Sequence, residues 1–485
     1  VYQNPIDNNG DGFTDLTLQN RLSLFNKIDF LRDDKRIFNL AARYIYEERW
    51  GGEMNWKPSN RGSDLIYAES IHTNRWETFG TYELPVAPDV KFQFSGNGHV
   101  QNSYYGVTPY KADQYIGFGQ LTWNTPVGNK HSLLLGGAYR YTYYDDNTFA
   151  TLSEDGFNNN PSIMHLPGIF IQDEINLNEW QKLLLGIRYD YNSIHGNVFS
   201  PRANYKWSSI DKNEIIRISV GNGFRVANVF TEDHAALTGS RSVEFKDDLK
   251  PETSWNVNVN YIKNFIFKQS ILTLDGSFFY TYFSNRILPD YESNPNKIIY
   301  SNLDGTSVSK GISLNVDIMF QNGLSLLAGA TLMDVSVIEK QVKTRQLLTE
   351  RFSSVWSITY RLKPLGLTID YTGNVYGPMR LPLLGPLDPR DQYSQWFSIQ
   401  NIQVTKKIRN IMELYLGVKN LLNFTPPSNS IARAFDPFDK EVQFNNEGQV
   451  IPSSNNPNGL TFDPSYVFTS NQGIRLFLGL NFTIY

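Results

Sequence analysis

Alternation of apolar and polar residues with a period of two runs through most of the 485-residue chain. Residues 312–320 carry isoleucine, leucine, valine or phenylalanine at every even position and mostly polar residues at the odd positions. Residues 183–191 and 255–261 follow the same pattern. This period places apolar and polar side chains on opposite faces of a strand. Many of these segments extend over about 10–14 residues, against a usual strand length of about 5–6. The pattern therefore predicts long β-strands, each with one apolar and one polar face.

Composition narrows the classes of protein that such strands can form. No run of about 18 apolar residues occurs, which excludes transmembrane helices. Aromatic residues make up 14% of the chain and charged residues 19%, the latter below the roughly 25% of an average soluble domain. These values favour a transmembrane β-barrel with aromatic girdles over a large soluble all-β protein, which remains the alternative. The chain has no cysteine, and its net charge of −4 argues against a nucleic-acid partner.

The links between the predicted strands alternate between short and long. Residues 125–129 and 321–323 are short links, whereas 145–162 and 101–111 are predicted to be longer. An outer-membrane barrel has this asymmetry, with short periplasmic turns and long extracellular loops. The link near 192–196 departs from this alternation, because it is short where a long link is expected. The last strand, 471–485, is predicted to point one apolar set outward: Ile474, Leu476, Leu478, Leu480, Phe482 and Ile484.

The predicted fold is an all-β transmembrane antiparallel β-barrel with about nineteen strands in residues 1–485. Single-chain bacterial barrels have an even number of strands, with both termini on the periplasmic side. The first predicted strand, about 16–30, runs from outside to inside. We therefore expect an odd number of further strands upstream of residue 1.

Seven stretches of the chain resemble one known family. They read GIRYDYNS at 186–193, SPRANYKW at 200–207, GNGFRVANVF at 221–230, LKPETSWNVNVNY at 249–261, NLDGTSVSKGISLNV at 302–316, GVKNLLNF at 417–424 and GIRLFLGLNFTIY at 473–485. In this order and spacing they resemble the barrel of TonB-dependent outer-membrane receptors, particularly the Bacteroidetes branch related to cobalamin and siderophore receptors. The resemblance covers most of the second half of the chain.

The resemblance implies a 22-stranded barrel in the outer membrane of a Gram-negative bacterium, of which about nineteen strands lie in residues 1–485. It also implies an N-terminal plug domain and a TonB-binding segment, neither of which is visible in this sequence. The implied activity is active import of a scarce large nutrient, such as a ferric siderophore, haem or a cobalamin-like molecule. The implied partners are outer-membrane lipid and TonB.

Residues 6–15, IDNNGDGFTD, have the spacing of a calcium-binding loop. Oxygen ligands fall at positions 1, 3, 5, 7 and 9 of such a loop, with glycine at position 6. The candidate ligands are Asp7, Asn9, Asp11, the carbonyl of Phe13, and Asp15. Position 12 is Leu18, so the usual bidentate glutamate is absent. An Asx-rich turn at a loop tip is the alternative. Resemblance to cobalamin receptors implies that Ca²⁺ orders an extracellular loop.

Aromatic and basic residues cluster in the links predicted to be extracellular. Such side chains suit flat anionic ligands, although membrane-interface girdles use the same residue types. The loop at 223–251 has two interpretations, a mobile gate with substrate contacts or a solvated charged loop. The candidate substrate-binding residues are Trp50, Trp56, Arg61, Tyr104, Tyr105, Arg225, His234 and Arg380.

Three functions remain open from the sequence. The leading prediction is an active importer that uses energy transmitted by TonB. The second possible function is a plug-less pore or scaffold that a surface lipoprotein covers as a lid, for example in a glycan-uptake complex. A soluble all-β surface enzyme is the third, but no nucleophile elbow, phosphate-binding loop or paired acid–base motif is present, so we predict that the protein is not an enzyme.

Overall fold

The structure is a computed structural model that describes residues 1–86, 89–153, 156–226, 229–232, 242–290, 294, 297–409, 411–446 and 448–483. The chain divides into two compact units. Unit 1 contains residues 1–203, 224–242 and 433–441, and unit 2 contains residues 204–223, 243–432 and 442–485.

Unit 1 is built on an antiparallel meander of eight strands. Each strand pairs antiparallel with the next, from β1–β2 to β7–β8. The strands are β1 Leu18–Asp29, β2 Phe38–Gly52, β3 Ala68–Glu83, β4 Val90–Tyr105, β5 Thr108–Val127, β6 His131–Asp146, β7 Ser162–Asn178 and β8 Gln181–Asn192. The next two strands, β9 Gly196–Ser208 and β10 Glu214–Arg225, contain residues of both units.

Unit 2 repeats this organisation. Its long strands pair antiparallel with their neighbours from β12 to β23, and β14 and β15 form a separate hairpin. The strands that follow β10 are β11 Ser242–Phe245, β12 Glu252–Ile266, β13 Ser270–Asn285, β14 Ile287–Asp290, β15 Lys297–Asn302, β16 Gly305–Phe320, β17 Leu324–Glu339, β18 Val342–Arg345, β19 Phe352–Leu362, β20 Leu367–Tyr376, β21 Phe397–Ile408, β22 Met412–Lys419 and β23 Arg475–Phe482.

Helical structure is minor in the described residues. It comprises one single-turn helix, α1 Val229–Glu232, and three-residue 3-10 turns at Pro58–Asn60, Phe149–Thr151 and Lys363–Leu365. No helix in this part of the chain is long and apolar enough to cross a membrane.

The strand prediction is confirmed. Among the described residues, nineteen strands are eight or more residues long. The first of them, β1, lies within the predicted segment 16–30. Of the predicted outward set, Leu476, Leu478 and Leu480 in β23 are 78%, 70% and 58% exposed, and Ile484 lies outside the described residues. Long amphipathic strands were predictable because their period repeats over many residues.

One predicted link is wrong. Residues 101–111 do not form a long loop, because β4 continues to Tyr105 and β5 begins at Thr108. The turn between them is only 106–107, and Gly106 adopts a φ of +58° there, a conformation that glycine tolerates well. Tyr104 and Tyr105 are therefore strand residues. The predicted short link near 192–196 is also short in the structure.

The two faces of unit 1 differ sharply. One row on the first face runs across six strands through the paired residues Tyr44, Trp76, Gly98, Tyr115, Tyr143 and Ile163. We call this face the apolar face of unit 1. The other face, the polar face, carries Arg43, Arg75 and Glu77 in ion-paired contact. The alternation in the sequence therefore sorts the side chains onto two chemically distinct surfaces.

Unit 2 has a corresponding apolar face. Phe278, Ile312 and Leu332 lie directly opposite one another on β13, β16 and β17. Each of the three is at least 44% exposed. Exposed aliphatic rows of this length would be unfavourable in water, but they are expected of a surface in contact with lipid.

Candidate functional site

Three chain segments pack together where the strands of unit 1 carry their long links, which we call the long-loop end. The segments are the N-terminal loop 6–15, the link 53–67 and the segment 433–441. The Tyr67 ring lies 6.2 Å from the Phe13 ring and 5.7 Å from the Phe438 ring, measured between centroids. Burial raises the pKa of Tyr67 well above its ordinary value, so this hydroxyl stays neutral. The three segments therefore form one aromatic loop cluster.

Charged side chains also occur within segment 433–441 and where it meets the link 53–67. Lys440 Nζ lies 3.3 Å from a carboxylate oxygen of Asp64 in the link 53–67. Within the segment, Arg433 pairs with Asp436 and lies 3.8 Å from Asp439. Sequence reasoning missed this segment. The signal available was the run FDPFDK, in which aromatic and acidic residues recur every three positions.

Three of the predicted substrate residues lie on or against the apolar face of unit 1. Trp50 pairs in register with Ser70, and Ser70 pairs with Tyr104, so all three share the face of Tyr44. Arg61 lies over this row, with its guanidinium carbon 4.6 Å from the Tyr104 ring centroid. Its Nε donates to Ser70 Oγ at 2.9 Å. This position matches an aromatic belt at a membrane interface.

Two other predicted residues are enclosed in unit 1. The Trp56 ring lies 4.7 Å from the Trp50 ring, and Trp56 is buried. Tyr105 points to the polar face and is also buried. It stands beside a second buried pair, Tyr110 and Tyr144, whose hydroxyls are 2.9 Å apart. These rings support the long-loop end from within.

The remaining predicted substrate residues are Arg225, His234 and Arg380. Arg225 ends β10 and is exposed. His234 lies outside the described residues. In unit 2, Arg380 is half-buried, and its Nη1 donates to the carbonyl of Arg345 at 3.3 Å. Its own carbonyl accepts from the Leu348 amide at 2.8 Å. Arg380 therefore holds the links 340–351 and 377–396 together.

Unit 2 has its own loop core. Met379, Leu381, Phe397 and Tyr466 form a buried cluster that joins the link 377–396 to the end of the link 420–474. Beside it, Arg390 forms a buried ion pair with Asp388 and lies 4.4 Å above the Tyr466 ring centroid. The long links of unit 2 are therefore folded structures with a hydrophobic core.

The predicted calcium loop is folded around its own carboxylates. Asp7 accepts from the amides of Gly10 and Gly12 at 2.7 and 3.0 Å, and Asp11 accepts from the amide of Phe13 at 2.9 Å. Burial raises the pKa of Asp15, and the carboxylates of Asp11 and Asp7 add to that rise. The oxygen donors suit a hard cation. In the described part of the chain, however, no three His, Cys, Asp or Glu side chains converge closely enough to hold a metal ion.

The polar face of unit 1 carries opposite charges in direct contact. Glu77 lies 2.7 Å from Arg43 Nη2 and 2.6 Å from Arg75 Nε. One layer closer to the long loops, Glu47 lies 3.5 Å from Arg21 and 3.7 Å from Arg49. The arginine side chains remain 40–52% exposed. This face can therefore meet water and polar solutes along much of its length.

Comparison with known families gives one match that covers most of the chain. Residues 1–421 match the family described as TonB dependent receptor-like, beta-barrel. This range includes every strand up to β22 and all the substrate and calcium residues predicted from the sequence, whereas segment 433–441 lies beyond it.

Curated relatives match over a short segment. The iron-regulated outer membrane virulence protein of Vibrio cholerae serotype O1, El Tor strain, is 36% identical over 89 residues. The same protein from the Classical strain is 35% identical over 89 residues. The aligned segment is 18% of this chain and spans only 14% of the length of each relative.

Solved structures resemble the chain over a larger part. The siderophore receptor PirA from Pseudomonas aeruginosa aligns with a TM-score of 0.59 at 13% identity, over 84% of this chain and 68% of its own. The ferric enterobactin receptor PfeA aligns with a TM-score of 0.63 at 14% identity, over 87% and 68%. The FrpB iron transporter from Neisseria meningitidis gives 0.62 at 13% identity, over 84% and 68%. At these identities the likeness shows a common fold.

Proposed function

The chain belongs to the TonB dependent receptor-like β-barrel family, and from this premise we propose that the protein imports a scarce, large nutrient with energy delivered by TonB. Its location is the outer membrane of a Gram-negative bacterium. Members of this family are transporters and not enzymes. We assign residues 1–485 to the barrel domain. The family match over residues 1–421 carries the proposal. The charged polar face of unit 1 is the proposed wall of the transport path.

An iron-bearing ligand, such as a ferric siderophore, is the proposed substrate class. The similar structures are named as siderophore receptors or iron transporters, and the curated relative is named as iron-regulated. Haem and cobalamin-like molecules are the other large cargoes that the same path would suit. The charged polar face supports a polar cargo, since exposed arginines such as Arg43 and Arg49 attract anionic groups.

The loop cluster of unit 1 is the proposed recognition surface. Phe435 in segment 433–441 is 75% exposed, and Leu65 in the link 53–67 is 73% exposed. Lys440 stands beside them and is 52% exposed, so apolar groups and a cationic group occur together as a flat anionic ligand requires. Arg433 lies against the Phe435 ring but is buried and paired with Asp436. Of the predicted substrate residues, we assign Trp50, Arg61 and Tyr104 to the membrane belt.

Uptake of radiolabelled iron tests the proposal. The whole protein is expressed in iron-starved cells that lack their own receptors, with and without TonB, and a panel of ferric siderophores, haem and cobalamin is supplied. We expect accumulation of one ferric complex that is lost without TonB. Accumulation that persists without TonB would instead support the plug-less pore. In that case, a surface lipoprotein that co-purifies with the protein would be its proposed lid.

We also propose that Ca²⁺ binds the loop formed by Asp7, Asn9, Asp11, Phe13 and Asp15. The spacing of these oxygen donors supports this, as does the mutual repulsion of three carboxylates held in one short loop. The loop contacts the link 53–67, because the Met54 amide donates to the Gly12 carbonyl at 2.9 Å. When bound, Ca²⁺ would supply the charge that neutralises these carboxylates. These residues would then hold the N-terminal side of the loop cluster in place.

A further inference from the structure

An open groove crosses the apolar face of unit 1. It consists of two overlapping cavities of about 530 Å³ each. Both are lined by Leu121, Gly137, Ile169 and Tyr189, so they form one continuous depression across β5 to β8. Trp123 stands at one side of it and Tyr139 at the other. None of the residues that line the groove is charged.

Two glycines, Gly119 and Gly137, form the floor of the groove. Neither the backbone conformation nor the packing requires glycine at these positions. A Cβ atom at Gly137 would meet only the Gly168 carbonyl oxygen, at 3.9 Å. A Cβ at Gly119 would meet the Phe92 ring at 3.5 Å, which is ordinary contact. Neither residue has a positive φ. Glycine inside a strand lowers stability and often marks a site that a ligand or another backbone approaches closely. The two glycines therefore keep open a space that larger side chains could fill.

The groove lies inside the band of the sheet that contacts hydrocarbon. Gly137 is six residues from His131 at the start of β6, and Gly119 is eight residues from Val127 at the end of β5. With a rise of about 3.3 Å per residue and a tilt of about 40°, the floor is roughly 15–20 Å above the short turns. The apolar band of an outer-membrane barrel is about 25 Å tall. Hydrocarbon is therefore the medium that the groove faces.

Hydroxyl and imidazole groups stand at the side of the groove nearer the long loops. Tyr139 Oη is hydrogen-bonded to His165 Nδ1 at 2.7 Å. Tyr189 Oη donates to Asn197 Oδ1, also at 2.7 Å. A ligand in the groove would thus meet apolar walls along its length and a row of hydroxyl and imidazole groups at one end. A lipid of the outer leaflet has this polarity, with an acyl chain below an ester or amide group.

We propose that this groove binds one acyl chain of an outer-leaflet lipid as a specific, long-lived ligand. Each cavity holds on the order of 15 groups of the size of a water molecule, at about 30 Å³ each, and a methylene group is of similar size. The uncharged lining suits a neutral hydrocarbon chain. Tyr139, Tyr189 and His165 receive the linkage of that chain to its headgroup. The proposal is independent of which nutrient is transported.

Native mass spectrometry of the full chain tests the proposal. The protein is extracted from its own membrane in a mild detergent, and the lipid adducts that survive gentle activation are counted. Gly119→Val and Gly137→Leu fill the floor of the groove without requiring a backbone change. We expect a fully occupied wild-type site and at least a tenfold loss of the retained lipid in each variant. Gel mobility before and after heating confirms that each variant is folded.

Gly276→Val is the matched control. Gly276 lies on the apolar face of unit 2, and a Cβ there would meet nothing within 4 Å, so it too has room for a side chain, but it lies outside the groove. We expect its lipid adducts to equal those of the wild type. Equal adducts in the Gly137→Leu variant would overturn the proposal. A wild-type dimer that the floor variants abolish, with no lipid retained, would also overturn it, because the occupant would then be a second copy of the chain.

Discussion

Asp388 and Arg390, separated by one residue in the link between β20 and β21, form a two-point ion pair that solvent scarcely reaches. Arg390 Nη2 lies 2.7 Å from Asp388 Oδ2, and Arg390 Nε lies 3.0 Å from Asp388 Oδ1. The side chains are 3% and 0% exposed. Arg390 also donates to the Ser430 carbonyl at 3.3 Å and covers the Tyr466 ring. One side chain therefore joins two long links of unit 2.

Replacing Arg390 with alanine is expected to open these links without unfolding the strands. The change leaves the Asp388 carboxylate buried without its partner, which typically costs about 3–5 kcal/mol. Hydrogen exchange measures the effect. The amides of Leu381 and Ser394, which donate to carbonyls within the link, should lose protection, while those of β20 and β21 keep it.

Lys182→Ala provides the control for that measurement. Lys182 pairs with Glu174 at 2.6 Å, but both side chains are well exposed, at 49% and 39%. An exposed pair contributes about 0–1 kcal/mol, so exchange should scarcely change. If Arg390→Ala behaves like Lys182→Ala, the buried pair does not hold the links together.

Acid should weaken the same loop core. Burial by itself would raise the pKa of Asp388, but hydrogen bonds from Arg390 and the Leu384 amide outweigh it and hold the pKa below its ordinary value. A carboxyl whose pKa is lower in the folded state contributes stability above its unfolded pKa, about 3.9, and loses it as the pH falls through the folded value. We expect protection of the Leu381 amide to be constant from pH 7 to 5 and to decrease below about pH 4.

Asp388→Asn isolates this group, because it keeps the shape of the side chain and removes its charge. The variant should be less protected than the wild type at pH 7, and the difference should shrink as the pH falls below about 4. Exchange is measured over this range with correction for the intrinsic rates. A constant difference down to pH 2 would show that another carboxyl governs the acid response.

The strands could be predicted from the sequence because their cause is local and repeated. A period of two over many residues fixes which side chains share a face, as in Ile312 and Leu314. The resemblance to the barrel of TonB-dependent receptors is confirmed by the family match over residues 1–421, and most of its motifs lie on strands. The link 101–111 was not predictable from periodicity, because Gly106 allows a two-residue turn where polar residues suggested a loop.

The loop cluster could not be derived from the sequence. Lys440 and Asp64 are 376 positions apart, and no local pattern indicates that they meet. The face on which a residue near the end of a strand lies also depends on the pairing register of that strand. Tyr104 and Tyr105 are adjacent, yet one lies on the apolar face and the other on the polar face. From residue type alone, both tyrosines are predicted to bind substrate.

Replacing Phe438 with alanine should release segment 433–441 from the loop cluster of unit 1. The change removes the ring that packs against Tyr67 and leaves the Lys440–Asp64 pair, which is exposed and contributes little by itself. Truncation of a buried phenylalanine costs about 3–5 kcal/mol, and this ring is half-buried, so the lower end is expected. Limited proteolysis should then cut within 433–441.

Phe435→Ala is the matched control in the same segment. Phe435 is 75% exposed, so its removal should leave the protease resistance intact. The two variants also distinguish a role in anchoring the segment from a role in contacting the ligand. If Phe435 contacts the ligand directly, uptake should decrease in both variants, while proteolysis increases only in Phe438→Ala. Equal proteolysis of both variants would mean that Phe438 does not anchor the segment.

Removal of the two central carboxylates should abolish calcium binding by the N-terminal loop. In the combined variant Asp7→Ala and Asp11→Ala, only Asp15 keeps a charged ligand at the proposed positions. Extracellular calcium modules bind with dissociation constants of about 10⁻⁴–10⁻³ M, so calorimetric titration at millimolar Ca²⁺ should detect the wild-type site. At a free Ca²⁺ concentration of 100 times the dissociation constant, binding would stabilise the folded loop by about 2.7 kcal/mol.

Calcium binding by the loop is expected to depend on the balance of charge among its carboxylates. In the absence of a cation, the Asp7 and Asp11 carboxylates are stabilised mainly by backbone amides, and both raise the pKa of Asp15. Ca²⁺ should therefore also lower the pH at which the loop becomes protected from hydrogen exchange. Asp29→Ala with Asp34→Ala, which removes two carboxylates near the opposite end of β1, is the control and should titrate like the wild type. If the Asp7 and Asp11 variant retains both its calcium affinity and its ligand affinity, the loop is an Asx turn that needs no metal.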